Sequence, residues 1–268
     1  MLTLLKFDIK NTWFKIFAYC IAVAVFTVLT IYFWSHPFEG FFNNENFYWI
    51  TIFKFGSLGV TGAVCCICLL MTFVTLAQWF AQNLLADEGH FMNMLPVSRV
   101  KLFLSKTLAA LLWNCVLIGF MLGCVFVFLL FGGRLAQIND IIIDLVGEGG
   151  EIVHVGQLMI KFGVFMALYS TSLCILSYTA VCVGHTVNMG KNILTLIGFI
   201  GIGLAEIVIA AVLAAVLGVF NLGDLTSLAG IISYIGSFCV KMAVVCVING
   251  LITFALGTYL LSGRLNIE

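Results

Sequence analysis

The chain has unusually little charge. Only 9% of its 268 residues are charged, whereas about a quarter are charged in an average soluble protein, and 63% are hydrophobic. The 12 basic and 12 acidic residues cancel, so the composition does not indicate the basic surface that a nucleic-acid partner requires. The shortage of charge excludes a soluble globular domain, and the charge balance argues against a nucleic-acid-binding protein.

Motifs for catalysis and metal binding are also missing. No G-x-x-x-x-G-K-[ST] phosphate loop occurs in the chain, so ATP hydrolysis is expected on another chain. There is no His-Glu-x-x-His motif, so an intramembrane enzyme is not indicated. Cys65 and Cys68 have the spacing of a metal or redox pair, but no second pair accompanies them. We interpret the ten cysteines as small apolar packing residues and expect no metal or cofactor in this chain.

Long apolar runs are the main feature that is present. A bilayer core of about 30 Å needs roughly 20 helical residues, and six runs are long enough. We therefore predict an all-α polytopic membrane protein with a single transmembrane domain over residues 1–268. The predicted spans are residues 16–34, 56–80, 107–131, 162–184, 192–220 and 242–261.

The lysines and arginines predict how the spans are oriented, because basic residues near span ends are retained in the cytoplasm. An even number of spans puts both termini on one side. Placing them inside leaves eight basic residues inside and four outside. The predicted location is the plasma membrane, with both termini cytoplasmic. The basic residues left outside are Lys54, Arg134, Lys161 and Lys241.

Three segments outside the spans have patterns of their own. Residues 1–15 carry apolar side chains at helical spacing with lysines between them, which predicts an amphipathic helix in the cytoplasmic interface. Residues 132–157 predict a short amphipathic outer helix, either a lid that contacts substrate or a plain connection. Residues 221–240 are polar and then apolar, which favours a hairpin or re-entrant element near the outer face.

The loop between the second and third spans, residues 84–106, is the longest cytoplasmic loop. Asp87 and Glu88 suit the start of a short helix, where unpaired N–H groups carry partial positive charge, and Pro96 ends that helix. Its apolar side chains share one face, and nothing in the chain obviously covers them. The pattern favours a helix that docks into a groove on a cytoplasmic partner, and the alternative is a solvated connection.

The same loop resembles a known pattern. Its ADEGHFMNMLPVSRVKLFLSK is similar to the acidic-glycine, Leu-Pro-Val-Ser and Ser-Lys pattern that follows the second span of type-two ATP-binding cassette (ABC) exporter permeases. These permeases belong to the bacterial drug, peptide and lipid export group. A helix before the first span, six spans and the final LLSGRLNIE extend the resemblance over nearly the whole chain.

The resemblance implies a permease half that pairs with a second permease half, identical or different, and with cytoplasmic ABC ATPase subunits. ATP and magnesium would be bound by those subunits and not by this chain. The loop would be the coupling helix that docks into the ATPase, and Lys101 and Lys106 would anchor it at the membrane interface. The residues that would form the docking element are Asp87, Glu88, Gly89, Phe91, Leu95 and Pro96.

Glu206 is the one acid inside a predicted span. A charge there is expensive, so it normally faces the bundle interior or a water-filled cavity. It lies about 21 Å along the helix from Asn192, in the outer half of the membrane. One interpretation is a polar contact on the translocation path or at the dimer seam. The other is a glutamate held by neighbouring spans for packing alone.

The expected function is ATP-driven export of an amphipathic or hydrophobic compound, such as a peptide, drug or lipid. The alternative is an ATP-independent secondary carrier or channel in which Glu206 is the ion site. Such carriers commonly show internal repeats, and no convincing repeat relates the two halves of this sequence.

Overall fold

A computed structural model of the protein describes residues 2–35, 47–85, 98–131, 155–186, 191–219 and 228–263. Within these ranges the chain forms six α-helices and no strand. All six are apolar and long enough to cross a membrane, which confirms the predicted all-α polytopic membrane protein. The helices are α1 (Leu2–Ser35), α2 (Phe47–Leu85), α3 (Arg99–Phe131), α4 (Val155–Gly184), α5 (Lys191–Val216) and α6 (Leu228–Gly263).

The helices are longer than most of the predicted spans. At 34 and 36 residues, α1 and α6 are each more than about 50 Å long, so they exceed the bilayer core of about 30 Å. The fifth predicted span is the exception, because α5 ends at Val216 and not at residue 220. The outer helix predicted within 132–157 lies outside the described residues, except that 155–157 begin α4.

Gly218 ends α5. Its φ of 63° is one that glycine adopts without steric cost. The amides of Gly218 and Val219 bond back to the carbonyls of Ala215 and Ala214, at 3.1 and 2.9 Å, which is a Schellman motif. The ammonium of Lys241 then donates to the Gly218 carbonyl oxygen at 3.0 Å. The end of α5 is therefore capped by its own backbone and by α6.

Residues 228–240 form the first turns of α6, so the prediction of a hairpin or re-entrant element is wrong for them. The sequence favoured a separate element because residues 221–240 are polar and then apolar. Lys241 follows this segment and carries a positive charge. In the structure that charge is held by the end of α5, and the helix continues past it. The hydroxyl of Tyr234 also donates to the Val219 carbonyl oxygen at 2.8 Å. The start of α6 is thus tied to the end of α5.

The N-terminal segment is helical, as predicted, but it is continuous with the first span. A helix in the membrane plane would need a break before the span, and α1 runs from Leu2 to Ser35 without one. Asp8 and Thr12 are buried, whereas Trp13 is half exposed. This part of α1 therefore packs into the bundle along one face.

The central helix is α4, which packs against α2, α3, α5 and α6. The first helix, α1, packs against α2 and α3. The most peripheral helix is α5, since only 6% of its apolar segment is buried, against 22–33% in the other five helices. Any cavity that α5 lines therefore lies close to lipid.

One end of the bundle carries the start of α1, the end of α2, the start of α3 and the end of α6, and we call it the terminal end. Side-chain contacts establish this arrangement. Asp8 of α1 contacts Lys106 of α3, and Arg99 at the start of α3 donates to the carbonyl oxygen of Leu261 at 2.6 Å. These contacts place the two ends of the described chain on the same side of the bundle.

The core at the terminal end is aromatic and tightly packed. Phe80 stacks on Tyr178, with ring centroids 4.4 Å apart, and Phe103 meets both rings edge-on. Gly257 of α6 lies against this group, where an added Cβ would come within 2.8 Å of Phe103 and of Thr179. The absence of a side chain at residue 257 therefore lets α6 approach α3 and α4 closely.

Candidate functional site

A buried polar cluster joins α1, α2 and α3 at the terminal end. Asp8 is 1% exposed and Lys106 is 2% exposed, and the Lys106 ammonium forms an ion pair with Asp8 Oδ1. Trp79 of α2 donates its Nε1–H to the same oxygen at 3.3 Å. The hydroxyl of Ser105 lies 3.4 Å from Asp8 Oδ2. The carboxylate of α1 is thus contacted from both neighbouring helices.

The cluster extends one turn further along α1. Thr12 donates its hydroxyl to the Asp8 carbonyl oxygen at 2.8 Å and accepts a hydrogen bond from Trp113 Nε1 at 2.8 Å. The Lys106 ammonium also lies 5.2 Å from the centre of the Trp79 ring, a cation–π distance. A buried ion pair stabilises a fold only when further hydrogen bonds satisfy its remaining atoms. Here the surrounding side chains supply those bonds.

This cluster lies close to the loop that the sequence singled out. Trp79 is six residues before the end of α2, and Lys106 is seven residues after the start of α3. Both are therefore about 10 Å from the points where residues 86–97 leave the helices. At the loop's exit, Arg99 is bonded to the end of α6. The two stems of the loop are thus tied to α1 and to α6.

The predicted docking residues themselves lie outside the described residues. Of the two predicted anchors, Lys101 is exposed on α3. Lys106 is buried in the bundle, with its ammonium on Asp8. The predicted docking residues that lie outside the described ranges are Asp87, Glu88, Gly89, Phe91, Leu95 and Pro96.

Sequence reasoning missed Asp8. Its partners Trp79 and Lys106 are 71 and 98 residues away, so no local pattern indicates them. One signal was available, because Asp8, Thr12 and Ile16 recur every four residues and all three are buried. That spacing marks one face of a helix, and an acid on a buried face requires a partner.

A second candidate site lies around Glu206. A cavity of about 280 Å³ lies between α4, α5 and α6, and its lining is mostly apolar. Glu206 faces it from α5, and Asn249 faces it from α6. The Asn249 amide, on a residue only 7% exposed, donates its Nδ2–H to the Glu206 carbonyl oxygen at 3.3 Å. Both residues are about 21–22 Å along their helices from the terminal end.

Two buried side-chain oxygen atoms at this cavity have no hydrogen-bond partner within the part of the chain that the structure describes: Glu206 Oε1 and Asn249 Oδ1. The Thr253 side chain lies within hydrogen-bonding reach of the Glu206 carboxyl, but its hydroxyl donates to the Asn249 carbonyl oxygen at 2.9 Å. No lysine or arginine lines the cavity among the described residues. A buried unpaired acceptor costs about 1–3 kcal/mol, so the cavity has unmet capacity for a hydrogen-bond donor.

The cysteines do not assemble into a site. All ten are free. Cys20 and Cys68 belong to an apolar cluster with Val23 and Leu117, as packing residues would. Within the described ranges, no group of three or more His, Cys, Asp or Glu side chains is placed to hold a metal ion.

Comparisons with protein-family models, with curated proteins and with solved structures found no match to this chain. The two sites therefore have to be judged on their own geometry. The cluster around Asp8 connects helices next to the predicted coupling loop. The cavity at Glu206 has two buried acceptor oxygens without partners in a mostly apolar lining.

Proposed function

We propose that the protein is the membrane subunit of an ATP-driven exporter, which moves an amphipathic or hydrophobic compound out of the cytoplasm. It lies in the plasma membrane with both termini cytoplasmic. Separate ABC ATPase subunits supply the energy, and a second permease half, identical or different, completes the path. The six-helix architecture and the pattern of residues 86–106 support this proposal.

The observation that carries the proposal is the way the loop stems are held. A coupling loop can move the spans only if the helix ends next to it are rigid, because a flexible base would bend and the spans would stay in place. Buried polar networks whose members are satisfied are rigid. Asp8 and Lys106 tie the loop-side ends of α2 and α3 to α1, and Arg99 ties α3 to α6. A displacement of the loop is therefore shared by four of the six helices.

This arrangement suggests how the loop would act. ATP-driven closure of the ATPase subunits would push residues 86–97, and α2 and α3 would move as one unit with α1. The cavity at Glu206 lies between α4, α5 and α6, on the other side of the central helix. Movement of α3 against α4 would then change the exposure of that part of the bundle, since the two helices are packed together.

A second candidate function is an ATP-independent carrier in which Glu206 binds an ion. The unpartnered Oε1 of Glu206 favours it, because an ionisable group at membrane depth is a candidate ion site. Proteoliposomes separate the two functions. Transport by the purified chain alone, driven by an ion gradient without nucleotide, supports the carrier and contradicts the exporter.

The exporter is tested in the complete complex with its ATPase. Replacing Glu88 and Pro96 together with alanine is expected to leave the bundle folded and to abolish the stimulation of ATP turnover by substrate. Replacing His90 and Asn93 in the same segment is the matched control, and stimulation should persist. Unchanged stimulation in the Glu88→Ala, Pro96→Ala variant would count against the proposal.

A further inference from the structure

The cavity at Glu206 has a chemical bias that the proposed function does not specify. Its two buried unpartnered side-chain atoms are both acceptors, Glu206 Oε1 and Asn249 Oδ1. The hydroxyl groups of Tyr169 and Ser172 also line it. Most of the remaining lining is aliphatic or aromatic, including Leu173, Leu176 and Phe199. A ligand that fits this surface carries a hydrogen-bond donor at one end and an apolar body.

The orientation of the Asn249 amide follows from its neighbour. The Glu206 carbonyl oxygen can only accept a hydrogen bond, so the nitrogen of the amide must face it. The amide oxygen is then directed elsewhere and has no partner among the described residues. Because Asn249 is nine-tenths buried, bulk water does not readily satisfy that oxygen.

Charge selects among the possible donors. A carboxylate at this depth repels anions, and none of the described lining residues supplies a compensating cation. A bare metal cation would require several oxygen ligands, whereas the cavity wall is mostly apolar. An ammonium group is complementary to the carboxylate charge and to the acceptor oxygens, since it carries a positive charge and several N–H donors.

We propose that the cavity between α4, α5 and α6 binds a protonated amine on an apolar tail, with Glu206 and Asn249 accepting hydrogen bonds from the ammonium and the apolar wall covering the tail. The proposal rests on the exporter function, for which it names the class of cargo: lipophilic ammonium compounds. The ammonium can belong to a free amphiphile or to the headgroup of an ethanolamine phospholipid.

Binding is measured on the full chain in phosphatidylcholine nanodiscs, whose lipid headgroups carry no N–H donor. Radiolabelled octylamine, protonated at neutral pH, is equilibrated by dialysis, and its uptake by empty nanodiscs is subtracted. We expect saturable binding to the protein. Glu206→Gln should weaken it about tenfold or more, and Asn249→Ala about three- to tenfold, because each removes an acceptor from the ammonium. Glu206→Asp should restore part of the affinity.

Competitors define what is recognised. Octyltrimethylammonium retains the charge without N–H donors, and octanol retains one donor without the charge, so both should compete about tenfold more weakly than octylamine. Equal competition by octanol would overturn the proposal in favour of an unspecific apolar cavity. Nanodiscs that contain phosphatidylethanolamine distinguish the sources, since loss of octylamine binding there identifies the lipid headgroup as the natural donor.

Folding is controlled separately. Asn114 is also buried, and its amide bonds Thr171 of α4 at 3.3 Å; neither residue lines the cavity. Asn114→Ala should therefore leave octylamine binding unchanged, even if it lowers the melting temperature. Absence of saturable binding to the wild type, or unchanged binding by Glu206→Gln, would overturn the proposal.

The outcome is separable from that of the exporter proposal, because this binding requires neither nucleotide nor ATPase. If binding fails while ATP-driven export is observed, only the cargo class is wrong. If octylamine binds through Glu206 but the chain transports without an ATPase, the site stands and the exporter function is wrong.

Discussion

Asp8 and Glu206 are the acids within the described part of the chain; Asp8 is buried and Glu206 is partly buried. Their surroundings differ. At the terminal end, the carboxylate of Asp8 contacts Lys106 and Trp79, and Ser105 lies beside it. About 10 Å further along the bundle, Glu206 Oε1 borders a cavity and has no partner among the described residues.

The difference separates two uses of an acid in a long apolar helix. Asp8 is held by side chains of two other helices, so it contributes to the packing of α1 against α2 and α3. Glu206 makes its described contact to Asn249 through its backbone carbonyl, and its side-chain Oε1 has no partner among the described residues. The first arrangement resists change, whereas the second is open to a ligand. Stability measurements on matched variants test this contrast.

The largest effect is expected for Lys106→Met. It leaves Asp8 buried without its countercharge, which should lower the free energy of unfolding by about 3–5 kcal/mol. The measurement is SDS titration of the purified protein in mixed micelles, followed by far-UV circular dichroism. The control removes both charges, with Asp8→Leu added, and should recover most of the loss. A double variant as unstable as Lys106→Met alone would contradict the pairing.

A smaller effect is expected for Gly257→Ala in the core beside the cluster. The new methyl group would meet Phe103 and Thr179 at about 2.8 Å, and overpacking of this kind costs about 1–3 kcal/mol. Gly201→Ala on α5 is the matched control, because no heavy atom lies within 4 Å of an added Cβ there. It should be neutral or slightly stabilising. Equal losses in the same SDS titration would show that the terminal end is not the more tightly packed region.

Trp79→Phe should cost about 1.5 kcal/mol. It removes the N–H donor to Asp8 but keeps an aromatic ring near Lys106, and the donor distance of 3.3 Å places the bond at the weak end for a charged acceptor. Trp13→Phe, at a half-exposed position, should change stability by less than about 0.5 kcal/mol. If the two tryptophans prove equivalent, the bond to Asp8 contributes nothing to stability.

The smallest effect is expected for Glu206→Gln, which should shift stability by less than about 1 kcal/mol in either direction. The substitution breaks no described hydrogen bond to Oε1 and removes the cost of burying a charge. The comparison is Asp8→Asn at the terminal end, which leaves Lys106 without its countercharge and should cost about 3 kcal/mol. A Glu206→Gln loss of that size would make Glu206 a structural residue, and the contrast between the two acids would fail.

Much of the fold was predictable because it depends on local composition. Each of the six predicted spans overlaps one helix, since the length and hydropathy of a run are set by neighbouring residues. The errors arose where a charge has a distant partner. The polar and then apolar pattern of residues 221–240 suggested a separate element, but α6 is continuous through residue 240 and the end of α5 holds Lys241. The basic residues around Asp8 suggested a surface helix, but its buried face is completed by α2 and α3.

The candidate site divides in the same way. Glu206 was predictable as a polar group at membrane depth because it stands alone in an apolar run. The sequence by itself thus determined the membrane class, the six helices and the one acid within a predicted span, since all three depend on residues close together in the chain. Tertiary structure alone decided that Asp8 is paired, that Asn249 faces Glu206 and that the two buried unpartnered atoms at the cavity are both acceptors. Those properties depend on which helices pack together, and the side chains concerned are 43–98 residues apart.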